Sequence, residues 1–313
     1  MFVQEIQEHA AAAAEGHAGK FDAGETIIHH VANSPINDPL IRLPKVMGID
    51  FSVTKHVFML WLVAATVFVV VTWLVRRFLK QPRPIPTGMM NGLEAVVVFI
   101  RDEIVRPNVG QKWVGTWAPL ILTFFVFILS ANVIGLIPIF DVLGLLDYYV
   151  LHTGPESFVK HVMHGGTTAT ANFNVTAALA TITFGAIIVA GSKAHGVVKH
   201  WMNLVPHGLA WPIYILLIPI EVMGMFVRPF ALTMRLAANM TGGHIAILAI
   251  LSFVFLFAEL FGRAMAGVGV GMFVSVPLAV GISGLEIIVV LVQAYVFTLL
   301  TAVFIGMAIH VHH

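Results

Sequence analysis

Two apolar runs constrain this chain more than anything else in it. One covers residues 213 to about 261 and the other residues 272 to about 309. About 20 apolar residues are enough to cross a bilayer core, and both runs are much longer. Hydrocarbon offers no water to a backbone N–H or C=O, so a crossing segment must be a helix or part of a closed barrel. Barrel-type alternation is absent, which leaves helices that must tilt or break. Pro219, Pro229 and Gly242-Gly243 are the expected kinks in the first run. Gly267, Gly269 and Gly271 are expected to form the turn between the two. They superficially resemble a nucleotide-binding glycine loop, but no strand precedes them and no lysine follows.

Within the first run, Glu221, Arg228 and Arg235 stand seven residues apart. That is close to two helical turns, so the three share nearly one face. A guanidinium keeps its charge in any protein environment, and at mid-membrane an arginine costs roughly 2.5–3.5 kcal/mol. Arg235 has no carboxylate three or four residues away, but Asn239 follows four residues on. Around it Ala231, Ala238, Gly242 and Ala246 form a lane of small side chains, which permits close approach of another helix. This face presents a permanent positive charge to a surface that must supply a negative one. His244 lies farther along, and the second run carries Glu286 and Gln293, again seven apart. Structural hydrogen bonding explains an isolated polar residue in a span. So many ionisable groups in one helical hairpin point to an ion path. Arg228 is open to two readings, a structural charge balanced by Glu221 or a direct part in that path.

The rest of the chain fits a multi-span protein. Of its 313 residues 58% are hydrophobic and only 11% charged, against about 25% charged in soluble domains, and mean hydropathy is +0.92. Residues 1–55 are polar, with Pro35, Pro39 and Pro44 keeping the approach to the membrane extended. A first span at 56–75 is followed at once by Arg76, Arg77, Lys80 and Arg83, which puts the N-terminus outside. Residues 89–105 read as an interfacial amphipathic helix ended by Pro107, with a face buried against a partner protein as the rival reading. Spans at about 117–140 and 175–191 follow, the former bearing Asn132, Gly135 and Pro138. The expectation is an all-α membrane protein with five crossings and a cytoplasmic C-terminus. It divides into segments 1–55, 56–112, 113–192 and 193–313. There are no cysteines, and the fifteen histidines form no metal-ligand set, so neither metal nor cofactor is expected. A net charge of +1 gives no reason to expect nucleic acid.

The alternative function is a self-contained secondary cation/proton transporter, but the halves show no internal repeat. An intramembrane protease would need a His-Glu-x-x-His or serine/histidine pattern, which the spans lack.

Arg235-Leu-Ala-Ala-Asn239-Met-Thr-Gly-Gly-His244, with Leu285-Glu286 through Gln293-Ala-Tyr-Val-Phe, closely resembles subunit a of the F-type ATP synthase. Arg228-Pro229 and the Asn132/Gly135/Pro138 cluster strengthen the likeness, which covers roughly residues 115–309. Histidine at 244 with glutamate at 286 looks like the mitochondrial and alphaproteobacterial version. The resemblance implies a stator subunit, without nucleotide binding, for a rotating ring of c subunits. It implies b-type peripheral-stalk subunits and the rest of the synthase as partners, in a bacterial inner membrane or an energy-transducing organelle membrane. It implies that Arg235 faces the ring carboxylate. An outer proton half-channel would involve Asn132, His244, Glu286 and Gln293. An inner one would lie near Glu221, with Asn239 close to the Arg235 crossing.

Overall fold

The computed structural model describes residues 24, 27, 52–81, 85–137, 168–202, 211–260 and 264–310. Most of the N-terminal segment, Arg83, Pro138 and most of the loop before the third span lie outside the described residues. Among the described residues the structure is helical, with no strand. Helix α1 is Lys55–Leu79 and α2 is Met89–Phe99. A π-helical turn, Ile100–Val105, and a short α-turn, Arg106–Val109, continue α2. Then come α3 Val114–Leu136, α4 Phe173–His195, α5 Val197–Met202, α6 Trp211–Leu260 and α7 Ala264–Ile309. Five helices among the described residues are long and apolar enough to cross a membrane, which bears out an all-α, multi-pass membrane protein.

Helix α6 continues for 50 residues through Pro219, Pro229 and both glycines, so the first long run is not broken at them. Its contour of about 75 Å, at 1.5 Å per residue, exceeds a hydrocarbon core of about 30 Å more than twofold. Gly267, Gly269 and Gly271 do not form a turn but lie inside α7. A Cβ on Gly271 would come 2.6 Å from the Val254 Cα, so this glycine serves close packing of α7 on α6. Pro107 does not end the amphipathic helix. It sits in the first turn of Arg106–Val109, where a missing N–H is tolerated. The chain turns instead at Gly110, whose φ of 78° suits glycine.

The chain forms two compact units. One comprises Met1–Leu62, Ala131–Asn172 and Ala238–Val290, and the other Val63–Ser130, Phe173–Ala237 and Leu291–His313. The second holds two apolar clusters. In one, Ile100, Ile104, Val105 and Val109 pack with Trp117 and Ile121 of α3, Ala186, Ile187 and Ala190 of α4, and Ala302, Ile305 and Ile309 of α7. The buried face that follows α2 is therefore covered by this chain's own helices. Gly306 is part of that fit, since a Cβ there would overlap the Asn108 backbone. In the other cluster Phe124 and Ile128 meet Leu179, Ala180, Leu232, Leu236, Ala294 and Phe297. Phe124 and Phe297 stand edge to face at 5.7 Å, an arrangement that adds about 0.5–1.5 kcal/mol beyond area burial.

Histidines tie the helix ends of this unit. His195 Nε2 bonds the Ile309 carbonyl at 2.8 Å, and His310 Nε2 meets the Val109 carbonyl at 3.3 Å. Gly196, with φ 88°, closes α4 by donating its N–H to the Ser192 carbonyl. His200 on α5 is buried with its ring against Gly191, where a Cβ would overlap it. Burial, and secondly the charge of His195, hold His200 below the ordinary histidine value of 6.5. The folded chain therefore resists a proton that the unfolded chain accepts. The stability tied to this group is complete above 6.5 and is lost as pH falls from there toward the folded value. The thermal midpoint of the purified protein should decline on acidification, and His200→Leu should flatten that decline. Identical slopes for the two proteins would remove His200 as the cause.

Candidate functional site

Many hydroxyls of the long helices bond within their own helix. Thr123, Thr181, Thr183, Thr233, Ser283, Thr298 and Thr301 all donate to the carbonyl four residues back in their own helix. That is how a hydroxyl is satisfied locally in a span. Thr168, Thr170 and Thr241 do otherwise, and all three belong to the first unit. Thr168 leads into a 3₁₀ turn, Ala169–Ala171. Thr241 of α6 donates to the Ala171 carbonyl at 3.3 Å. One helical turn on, His244 Nε2 meets Thr168 Oγ1 at 2.7 Å. Thr170 Oγ1 donates to Asn132 Oδ1 of α3 at 2.5 Å. Ala169 is fully buried and clusters with Met59, and Phe58 and Ile134 pack against them. The turn is thus fastened to α1, α3 and α6.

The other nitrogen of His244 faces α7. Its Nδ1 lies 3.9 Å from Glu286 Oε1, an ion-pair distance longer than a hydrogen bond. Glu286 is 5% exposed, and among the described residues neither of its oxygens has a hydrogen-bond partner. The Asn132 amide nitrogen is likewise buried and unpartnered there. A buried polar group left unsatisfied costs about 1–3 kcal/mol, and more if charged, so three such atoms together make a costly arrangement. Gly243 makes it possible. A Cβ there would stand 2.6 Å from Glu286 Oε1, so the bare backbone admits the carboxylate to α6. Gly242-Gly243, read from sequence as a kink, includes this close approach.

The remaining sequence candidates behave differently. Arg235 is exposed, as are Ala231, Ala238, Asn239 and Gly242 along the same helix, while Leu232 and Leu236 are buried. Among the described residues no carboxylate pairs with Arg235. Arg228 stacks over the Phe304 ring at 5.7 Å and forms no ion pair with Glu221 among the described residues, so the balance expected between those two is not seen. Seven residues of helix separate their backbones by about 10 Å, and a flat guanidinium stacks readily on an aromatic face. Glu221 is half-buried. Gln293 is buried and belongs to the second unit. Thr168 and Thr170 escaped the sequence reading. Their only signal is a hydroxyl-rich Thr167-Thr168-Ala169-Thr170 run before a span, and hydroxyls carry no charge signature.

These features define a class: an all-α, multi-pass membrane protein with a half-buried histidine facing a buried glutamate where two long apolar helices meet. The comparisons narrow it. The family model described as ATP synthase A chain matches residues 57–306. ATP synthase subunit a 2 of Prosthecochloris aestuarii is 38% identical over 307 residues, covering 96% of this chain and 84% of that protein. ATP synthase subunit a 2 of Chlorobium luteolum is 39% identical over 309 residues, covering 96% and 80%. ATP synthase subunit a of Anaeromyxobacter dehalogenans is 36% identical over 336 residues, covering 98% and 77%. The chain belongs to the F-type ATP synthase subunit a family.

Proposed function

We propose that this chain is the stator of the membrane sector of a rotary ATP synthase, with segment 193–313 carrying the ion path. The observation that supports this most is the His244–Glu286 pair, a base and an acid 3.9 Å apart with both carboxylate oxygens buried and unpartnered among the described residues. Such a pair takes up and releases protons rather than holding a fold together. The pair is assigned to the outer half-channel, as are Asn132 and, two turns beyond Glu286 on α7, Gln293. Glu221 belongs to the inner one, and Asn239 stands beside the crossing. Arg235 faces a mid-membrane carboxylate on each c subunit of the ring. A fixed cation favours the ionised carboxylate and so drives off its proton. It also bars a direct run between the half-channels, so the proton travels with the ring. Each charge moved through 100 mV releases about 2.3 kcal/mol, delivered as rotation. The exposed lane of Ala231, Ala238 and Gly242 beside Arg235 supports close approach of a ring helix. Peripheral-stalk b-type subunits hold the stator still. Arg76, Arg77 and Lys80 at the end of α1 support a cytoplasmic C-terminus and an external N-terminus in a bacterial inner membrane.

One preparation tests this reading. The chain purified from its native membrane should bring with it an oligomeric ring of a small, carboxylate-bearing two-span protein, and alone in liposomes it should move no protons. A reporter after His313 should read cytoplasmic. Ion movement by the isolated chain would favour the self-contained transporter and overturn the stator reading.

A further inference from the structure

We propose that Thr168 is a positioning residue for proton transfer, holding the His244 ring so that Nε2 is bonded by a hydroxyl while Nδ1 is turned to Glu286. This rests on the His244–Glu286 pair acting in the proton path. A neutral imidazole has one N–H and one acceptor nitrogen, and the partner of one nitrogen decides the state of the other. Glu286 Oε1 lies on the Nδ1 side at 3.9 Å. For Nδ1 to present a proton there, Nε2 must accept, and it therefore needs a donor. Thr168 Oγ1 stands 2.7 Å from Nε2, and its hydroxyl supplies that donor.

A hydroxyl suits this place better than a fixed donor or acceptor. It carries one hydrogen and two lone pairs, and the hydrogen rotates. When His244 holds a second proton, Nε2–H donates to the same Oγ1 and the hydroxyl hydrogen swings away. The ring keeps one position through uptake and release, with no heavy atom moving. A lysine or an amide nitrogen would oppose the charged ring, and a carboxylate would trap it.

The surroundings hold Thr168 for this purpose. A Cβ on Gly135 would overlap its side chain, so α3 has a glycine where the threonine needs room. Ala169 is fully buried, Thr170 is bonded to Asn132, and Thr241 grips the Ala171 carbonyl. Thr168 therefore cannot drift from His244 without undoing three other contacts. The bonding to a carbonyl four residues back that satisfies many span hydroxyls is absent here, because Thr168 precedes its turn rather than lying within a helix.

The experiment measures proton-driven ATP synthesis per assembled complex in membrane vesicles. The variants are Thr168→Val, Thr168→Ala and Thr168→Ser, in the native background and with His244→Ala. Valine keeps the shape and removes the hydroxyl. Losing one hydrogen bond of ordinary strength at the proton-transfer step should slow synthesis about tenfold. Serine should recover most of the rate. In the His244→Ala background Thr168→Val should add little, because its effect passes through the ring. A near-native rate for Thr168→Val, equal rates for the serine and valine variants, or an undiminished valine effect without His244 would each overturn the proposal. If valine prevents assembly, alanine against serine carries the same comparison, and equal rates there overturn it too. A native rate for His244→Ala alone would instead remove the acid–base pair on which the proposal rests.

Discussion

Arg235→Ala is expected to abolish proton-driven ATP synthesis in membranes where the complex assembles normally. The ring carboxylate would lose the cation that favours its ionised form, and the half-channels would lose their barrier. Removing one partner of a buried charge pair costs about 3–5 kcal/mol, and as a barrier this is roughly two to four powers of ten in rate. Assembly should survive, because Arg235 is exposed and the buried neighbours Leu232 and Leu236 anchor that turn of α6 without it. Arg235→Lys should also be severely impaired. Lysine is a strongly hydrated point charge that deprotonates readily when buried, whereas a guanidinium stays charged and spreads its donors over a plane. Near-normal synthesis by either variant, with assembly confirmed by immunoblot, would sink the counter-charge mechanism.

The second large effect concerns His244 and Glu286. Interacting groups titrate as a pair, so removing either should disable both. Each alanine substitution is expected to slow synthesis by about a hundredfold, the lower end for a lost acid–base group. The exchange variant, His244→Glu with Glu286→His, keeps one acid and one base in the same space. It should outperform the worse of the single changes His244→Glu and Glu286→His, which put two acids or two bases together. Synthesis rate against pH in orientation-controlled vesicles decides the matter. Losses in the exchange variant that simply add those of the singles would mean the two residues work independently.

The class of fold was legible in the sequence because hydrocarbon allows few solutions. Runs as long as 213–261 and 272–309 must be helical, and the structure has α6 and α7 there. The family was legible for a related reason. Arg235, His244, Glu286 and Gln293 are costly and therefore rare in a span, so they form a recognisable pattern. Glycine was the least legible residue. Gly242-Gly243 and the Gly267, Gly269 and Gly271 set were read as kinks and a turn, since a glycine's backbone freedom is a local property. The actual neighbours, Glu286 for Gly243 and Val254 for Gly271, come from the facing helix of the hairpin.

By itself the sequence determined that the chain crosses a membrane as helices and which ionisable groups lie within them. Both follow from the cost of exposing backbone or charge to lipid, which applies residue by residue along the chain. The tertiary structure decided how closely these groups approach and what joins them. His244 faces Glu286 across about 40 residues of sequence, and Thr168 reaches His244 across 76. Those approaches depend on the absence of a side chain at Gly243 and Gly135, and the packing of facing helices leaves no periodic trace in either one.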